Sequence, residues 1–192
     1  MLVETTHTDE ELARDVQHGN VDAFAELLGR FEAKLLRYGR KFLSGHEDIE
    51  DIVQEVFISA YEHIQEYDAG RPFSSWIYRI AHNGFVNALR KKSRNPVRFF
   101  GFDLDTVIPH STHAPEREPE SVQHEMRTLI DKGLSKIHTT YAEVLILYYL
   151  EDFSYQEIAD ILHIPAGTVG VRLQRARAAL KKNAIELHDA YE

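Results

Sequence analysis

Residues 154–180, SYQEIADILHIPAGTVGVRLQRARAAL, leave the last third of this chain few ways to fold. Ser154 and Glu157 stand three apart, the spacing at which each side chain bonds the other residue's backbone amide and starts a helix. Ile158, Ala159, Ile161 and Leu162 then supply a buried stripe. His163, Ile164 and Pro165 make a corner, because the residue before a proline avoids helical backbone while proline suits a first helical turn. A second helix therefore opens near Pro165, with Val169, Leu173, Ala176 and Leu180 recurring at steps of four and three to face the first. Thr168, Val171, Arg172 and Arg175 fall on another face, with Gln174 at its edge. Such a face fits a DNA major groove: arginine bonds two acceptors on guanine or a phosphate, threonine and glutamine read base edges, and valine meets a thymine methyl. The competing reading of this segment alone is a small helical hairpin whose arginines are solvated.

The net charge of −9 runs against a nucleic-acid partner, since a DNA binder must offer lysine and arginine to phosphates. The distribution reverses that. Residues 69–102 contain no acid but hold Arg71, Arg79, Arg90, Lys91, Lys92, Arg94 and Arg98, and residues 161–185 contain no acid but hold Arg172, Arg175, Arg177, Lys181 and Lys182. Two cationic surfaces on an otherwise acidic chain suit contact with DNA at two places and with a basic protein elsewhere.

Upstream, capping and breaking signals predict helices over 9–17, 22–43, 47–64 and 73–93. Their stripes include Phe24, Leu27, Leu28, Phe31, Leu35 and Phe42, then Ile49, Ile52, Val53, Val56, Phe57, Ala60 and Ile64. Residues 95–120, with Pro96, Pro109, Pro115 and Pro119 and no helical period, read as a linker. Helices over 121–137 and 140–151, the latter with Thr140 and Glu143 as a capping pair, precede the corner motif. No useful segment alternates with period two. The expectation is an all-α fold, two small helical domains over 1–95 and 121–192 joined by a flexible linker over 96–120, the second containing a helix-turn-helix.

In the fourth helix, FSSWIYRIAHNGFVNALRKKSR, Ile77, Ile80, Ala81, Phe85 and Leu89 form the buried stripe. Trp76, Tyr78, Arg79, Asn83 and Asn87 are left over beside the basic tail. Rings next to cations suit single-stranded DNA, whose bases stack while its backbone follows positive charge. A base drawn from the duplex also needs a pocket, for which the loop over 70–75 offers a wall. For any one of these residues burial in a core is the commoner fate. The third helix supplies a contrast, its outer face carrying Glu47, Asp48, Glu50, Asp51, Gln54, Glu55 and Glu62, which reads either as a solvated face or as a docking surface for a basic helix.

EDIVQEVF over 50–57, FSSWIYRIAHN over 73–83, and SYQEIADILHIPAGTV with RLQRARAAL resemble, in this order, the motifs of the extracytoplasmic-function sigma factors of the bacterial primary-sigma family. The resemblance covers nearly the whole chain. It implies an alternative sigma factor that binds RNA polymerase core, places minus-ten and minus-thirty-five contacts and helps melt promoter DNA. Asp51, Gln54 and Glu55 would bind the clamp helices of the largest subunit, with the flap as a further core contact. Trp76, Arg79 and Asn83 would hold an unstacked nontemplate base at the minus-ten element, with Arg90, Lys91, Lys92 and Arg94 on its backbone. Thr168, Val171, Arg172, Gln174 and Arg175 would face the minus-thirty-five element. An anti-sigma factor, often membrane-bound in the family, and a role in stress response are implied as well. Gly170 and Val171 stand where the family usually has a basic residue and then a small polar one; Asn87 replaces a commonly acidic position, and His138 and Thr139 replace a usual proline.

The chain has no cysteine, which excludes disulfides, thiolate catalysis and thiolate zinc sites among these residues. Its 11 histidines show no HExxH, so neither metal nor cofactor nor enzymatic activity is expected. The acidic start and the short apolar runs predict neither a secretory signal nor insertion into a membrane, and hence a cytoplasmic protein. The alternative is a helix-turn-helix transcriptional regulator with an N-terminal sensor or dimerisation domain, which leaves Trp76 and the acidic third helix without a role.

Overall fold

The computed structural model describes residues 7–92 and 137–189. Among them the chain is helical throughout: α1 Asp9–Gln17, α2 Val21–Gly39, α3 His46–Glu62, α4 Phe73–Lys92, α5 Thr139–Tyr149, α6 Tyr155–Leu162 and α7 Ala166–Asp189, with a single 3-10 turn at Ile64–Glu66. The expected linker, Arg94, and all but the last residue of the helix expected over 121–137 lie outside the described residues.

Local chemistry sets most of the boundaries. Thr8 and Glu11 cap α1 reciprocally, at 3.2 Å and 2.9 Å, and the Asn20 side chain accepts from the first amides of α2. α2 ends at Gly39, four residues short of the expected Leu43. A Cβ on Gly39 would lie 2.6 Å from both the Ile49 side chain and the Phe85 ring, so this glycine allows α3 and α4 to close on α2. The following turn, in which Phe42 N–H donates to Gly39 C=O at 2.9 Å, swings Phe42 into the core against Phe85. Tertiary packing thus overrides the helical period that favoured continuation.

Phe31 and Leu35 of α2, Ile49, Val53 and Ala60 of α3, and Phe73, Ile77, Phe85 and Leu89 of α4 form the first core. Burying each large side chain stabilises by roughly 1.5–3 kcal/mol. α1 pins the loop ahead of α4: Gln17 donates to Ile64 C=O and Tyr67 C=O, both at 2.8 Å, and Glu10 accepts from Phe73 N–H at 3.0 Å.

The second core joins Val144, Ile146 and Leu147 of α5 to Ile158 and Ile161 of α6 and to Val169, Leu173 and Ala176 of α7. The capping box at α6 forms as expected, with Glu157 N–H donating to Ser154 Oγ at 3.3 Å and Ser154 N–H to Glu157 Oε2 at 2.9 Å. His163 turns the corner in the left-handed region at φ 51°. The expected Thr140 and Glu143 pair does not cap α5. His138 takes that place, accepting from Thr140 N–H at 3.4 Å, and Glu143 is buried where the two helical groups meet.

Candidate nucleic-acid and partner interfaces

At the head of α4, Glu66, Tyr67, Asp68, Arg71, Ser75, Trp76 and Arg79 line a pocket of about 250 Å³. Trp76 is half-buried, its ring set 5.3 Å from Tyr67 and 5.6 Å from Phe73, which fixes the indole without hiding it. Tyr67 braces the loop by donating its O–H to Arg71 C=O. Arg79 is half-buried and Asn83, Arg90 and Lys91 are exposed. Lys92 closes α4, and Arg94 lies outside the described residues. The Tyr67 and Trp76 rings and the Arg71 and Arg79 guanidiniums can stack on an extruded base and hold its phosphate, and the Glu66, Asp68 and Asp160 carboxylates share the same cavity.

On α7, Val171, Gln174 and Arg175 are exposed, Val171 at 48%. Thr168 and Arg172 are half-buried. Burial raises the Glu143 carboxyl of α5, and the Arg172 charge opposes that rise. Gly170 lies beside Tyr155, where a Cβ would make ordinary contact at 3.6 Å, so nothing in the packing demands glycine there.

On α3, Asp51, Gln54 and Glu55 are all exposed on adjacent turns of one face. Next to them runs a groove of about 770 Å³ between α2 and α3, with Phe24, Leu28, Phe57 and Tyr61 on its floor and Glu32, Glu50 and Glu62 at its rim. Sequence reasoning missed this groove. Its signal was Ile58 and Tyr61, apolar residues off the buried stripe and exposed at 59% and 46%.

The largest departure from expectation lies between the two helical groups, where α4 packs against α6. Tyr78, left over in the sequence as a nucleic-acid ring, is buried. Its O–H donates to Glu151 Oε2 at 2.6 Å, Arg37 of α2 donates to the same oxygen at 3.1 Å, and the ring meets Phe153 at 4.8 Å. Burial, and then the Glu151 charge, raises the Tyr78 phenol far above its usual range, so it remains a donor. Further along, His82 approaches Glu143 at 3.9 Å. At neutral pH this is not a full ion pair. Burial, then the Arg90 charge, lowers the His82 imidazole to about 4, while burial raises Glu143 to about 7 against the charges of Arg172 and Arg90. Distance alone describes the contact less well than desolvation does.

Among the described residues no group of three or more His, Asp and Glu side chains could hold a metal, and no helix is long and apolar enough to cross a membrane.

Comparison with known proteins agrees with this layout. The Sigma-70 region 2 family matches residues 27–95 and the Sigma-70 region 4 family residues 127–180. The chain is 32% identical over 186 residues to the ECF RNA polymerase sigma factor SigW of Bacillus subtilis (strain 168), covering 91% of this chain and 95% of that one. Among solved structures it resembles CnrH in complex with the cytosolic domain of CnrY, with a TM-score of 0.67 at 25% identity over 96% of this chain and 99% of that one. It also resembles the sigma factor RpoE in complex with the anti-sigma factor NepR from Bartonella quintana, with a TM-score of 0.59 at 25% identity over 83% of this chain and 95% of that one. Fold and matches together define an alternative sigma factor, a non-enzymatic protein that directs transcription initiation. The chain belongs to the sigma-70 family, among its extracytoplasmic-function (ECF) members.

Proposed function

We propose that the chain works in the cytoplasm as two DNA-contacting domains, residues 1–95 and 121–192, on either side of a linker over 96–120. Asp51, Gln54 and Glu55 bind bacterial core polymerase at the clamp helices of its largest subunit. The neighbouring groove suits that role, since an apolar floor with a carboxylate rim fits an amphipathic basic helix. Trp76, Arg79 and Asn83 engage the minus-ten element and hold an unstacked base, and Arg90, Lys91, Lys92 and Arg94 hold its backbone. Gln174 and Arg175, with Val171, Thr168 and Arg172 beside them, face the minus-thirty-five duplex, and the flap and an anti-sigma factor are further partners.

The pocket at the head of α4 carries this reading, because it places Trp76, Arg79 and Arg71 around a single cavity. A helix-turn-helix regulator with a sensor domain leaves the exposed Asp51, Gln54 and Glu55 face of α3 without a role. Mixed with bacterial core polymerase, the folded chain should support transcripts from promoters of its source genome, with Trp76→Ala losing promoter opening while keeping core binding. A folded chain that neither binds core nor directs any transcript refutes the proposal.

A further inference from the structure

The pocket at the head of α4 is shaped by a helix that contributes no residue to its lining. Glu66, Tyr67, Asp68 and Arg71 of that lining come from the loop between α3 and α4, whose own backbone closes only at isolated turns. Side chains of α1 take up the carbonyls left over. The Gln17 carboxamide donates both of its hydrogens, to Ile64 C=O and to Tyr67 C=O, at 2.8 Å each. Arg14 donates to Ala69 C=O at 3.2 Å, and the loop answers through Gln65, which donates to Gln17 C=O at 2.8 Å. Glu10 completes the set. Its carboxylate accepts from Phe73 N–H at 3.0 Å, one of the amides that the first turn of α4 leaves without a helical partner.

Helix α1 is itself fixed, since Leu12, Ala13 and Val16 are buried and Arg30 of α2 meets Asp9 at 2.6 Å. The groups it holds at Ile64, Tyr67, Ala69 and Phe73 are all backbone atoms. The path of the loop is therefore set without engaging the Asp68 and Arg71 side chains that reach the pocket. A site that grips a planar ligand needs its walls held to within about 0.5 Å, so small shifts of this backbone weigh more on the pocket than on the fold.

We propose that Glu10, Arg14 and Gln17 are positioning residues for promoter opening: through the loop backbone they set the Asp68 and Arg71 wall against the Trp76 ring, and with it how selectively the pocket takes a base drawn from the minus-ten strand. The proposal rests on that pocket being the one that receives the base. It places a determinant of minus-ten selectivity ahead of residues 27–95, the segment that matches the Sigma-70 region 2 family.

The readout is a ratio, which a change in the folded fraction does not move. Holoenzyme assembled from core and the full chain is titrated with a single-stranded oligonucleotide carrying the nontemplate minus-ten strand of a promoter that it transcribes, and with the same strand made abasic at one position at a time. The position whose base matters most to the parent identifies the trapped base, and the affinity ratio of intact to abasic strand measures the grip on it. Gln17→Ala should lower that ratio by about threefold or more, since a hydrogen bond is worth about twofold to tenfold. Glu10→Ala should lower it as well, whereas Glu10→Gln, which keeps an acceptor for Phe73 N–H, should retain the parent ratio. Affinities for core and for the minus-thirty-five duplex should stay unchanged in all three. An unchanged ratio in Gln17→Ala and Glu10→Ala overturns the positioning role, as does a Glu10→Gln ratio as low as that of Glu10→Ala. A fall in single-strand, duplex and core binding together, with the ratio kept, shows a purely structural helix and overturns it too. Trp76→Ala separates the two layers. If it flattens the ratio while the α1 variants do not, the pocket stands and the positioning role fails; if it too keeps the parent ratio, the pocket reading fails.

Discussion

Helices α4 and α7 carry the same sequence signature, a long acid-free window rich in arginine and lysine, yet the fold treats them differently. α7 leaves Gln174 and Arg175 in solvent. α4 turns Tyr78 and His82 into a contact with the second helical group and receives Asp160 at its pocket. Charge segregation identifies a surface that suits nucleic acid but does not say whether that surface is free, because a carboxylate from the same chain answers an arginine as well as a phosphate does.

The largest expected effect is a pH dependence, since Glu143 is buried with His82, Arg90, Arg172 and the Tyr38 phenol around it. A carboxyl raised from 4.5 to about 7 gives stability that is whole below pH 4.5 and lost as the pH rises through 7. An imidazole lowered from 6.5 to about 4 gives stability that is present above pH 6.5 and lost as the pH falls through 4. The two slopes oppose one another where they overlap, so unfolding stability should be nearly level there. Glu143→Gln should leave a curve that rises with pH, and His82→Asn one that falls, each spanning about 3 kcal/mol in denaturant titrations. A Glu143→Gln profile that matches the parent means the covered contact does not form in solution.

A second test compares the half-buried Trp76 ring with the exposed Arg175 side chain. Trp76→Ala should weaken minus-ten single-strand binding by about 1–3 kcal/mol, the usual worth of one stacked base. Arg175→Ala should weaken upstream duplex discrimination by a similar 1–3 kcal/mol. Fluorescence titrations with the single strand and with the duplex read the two losses separately, and a Trp76→Ala protein that binds the single strand as the parent does removes the contrast.

Lys91→Ala should lower DNA affinity with little sequence bias and reduce the slope of log affinity against log salt by about 1. The smallest effect concerns the open helix itself. Gly170→Ala should stabilise by about 0.5–1 kcal/mol, measured by thermal unfolding, because the site has room for a methyl group and glycine is a poor helix former.

Much of this was legible in the sequence for a local reason. Ser154 with Glu157, the corner before Pro165, and the stripe through Val169, Leu173 and Ala176 concern residues within one or two helical turns, where spacing alone decides which side chains share a face. Asp51, Gln54 and Glu55 are exposed together for the same reason. Tyr78 and Glu143 were read less well, since each meets a residue far away in the chain: Tyr78 meets Glu151, and Glu143 meets His82.

The sequence by itself therefore determined the helices, the corner between α6 and α7, the two basic windows and the family motifs, all set by short-range periodicity, capping and charge. That α2 stops at Gly39, that a groove opens between α2 and α3, and that Tyr78 and His82 of α4 are buried against the second helical group while Val171, Gln174 and Arg175 of α7 stay exposed were decided by tertiary packing. Those outcomes depend on close approach and on the desolvation of groups such as Glu151 and Glu143, which become costly or favourable only once distant segments meet.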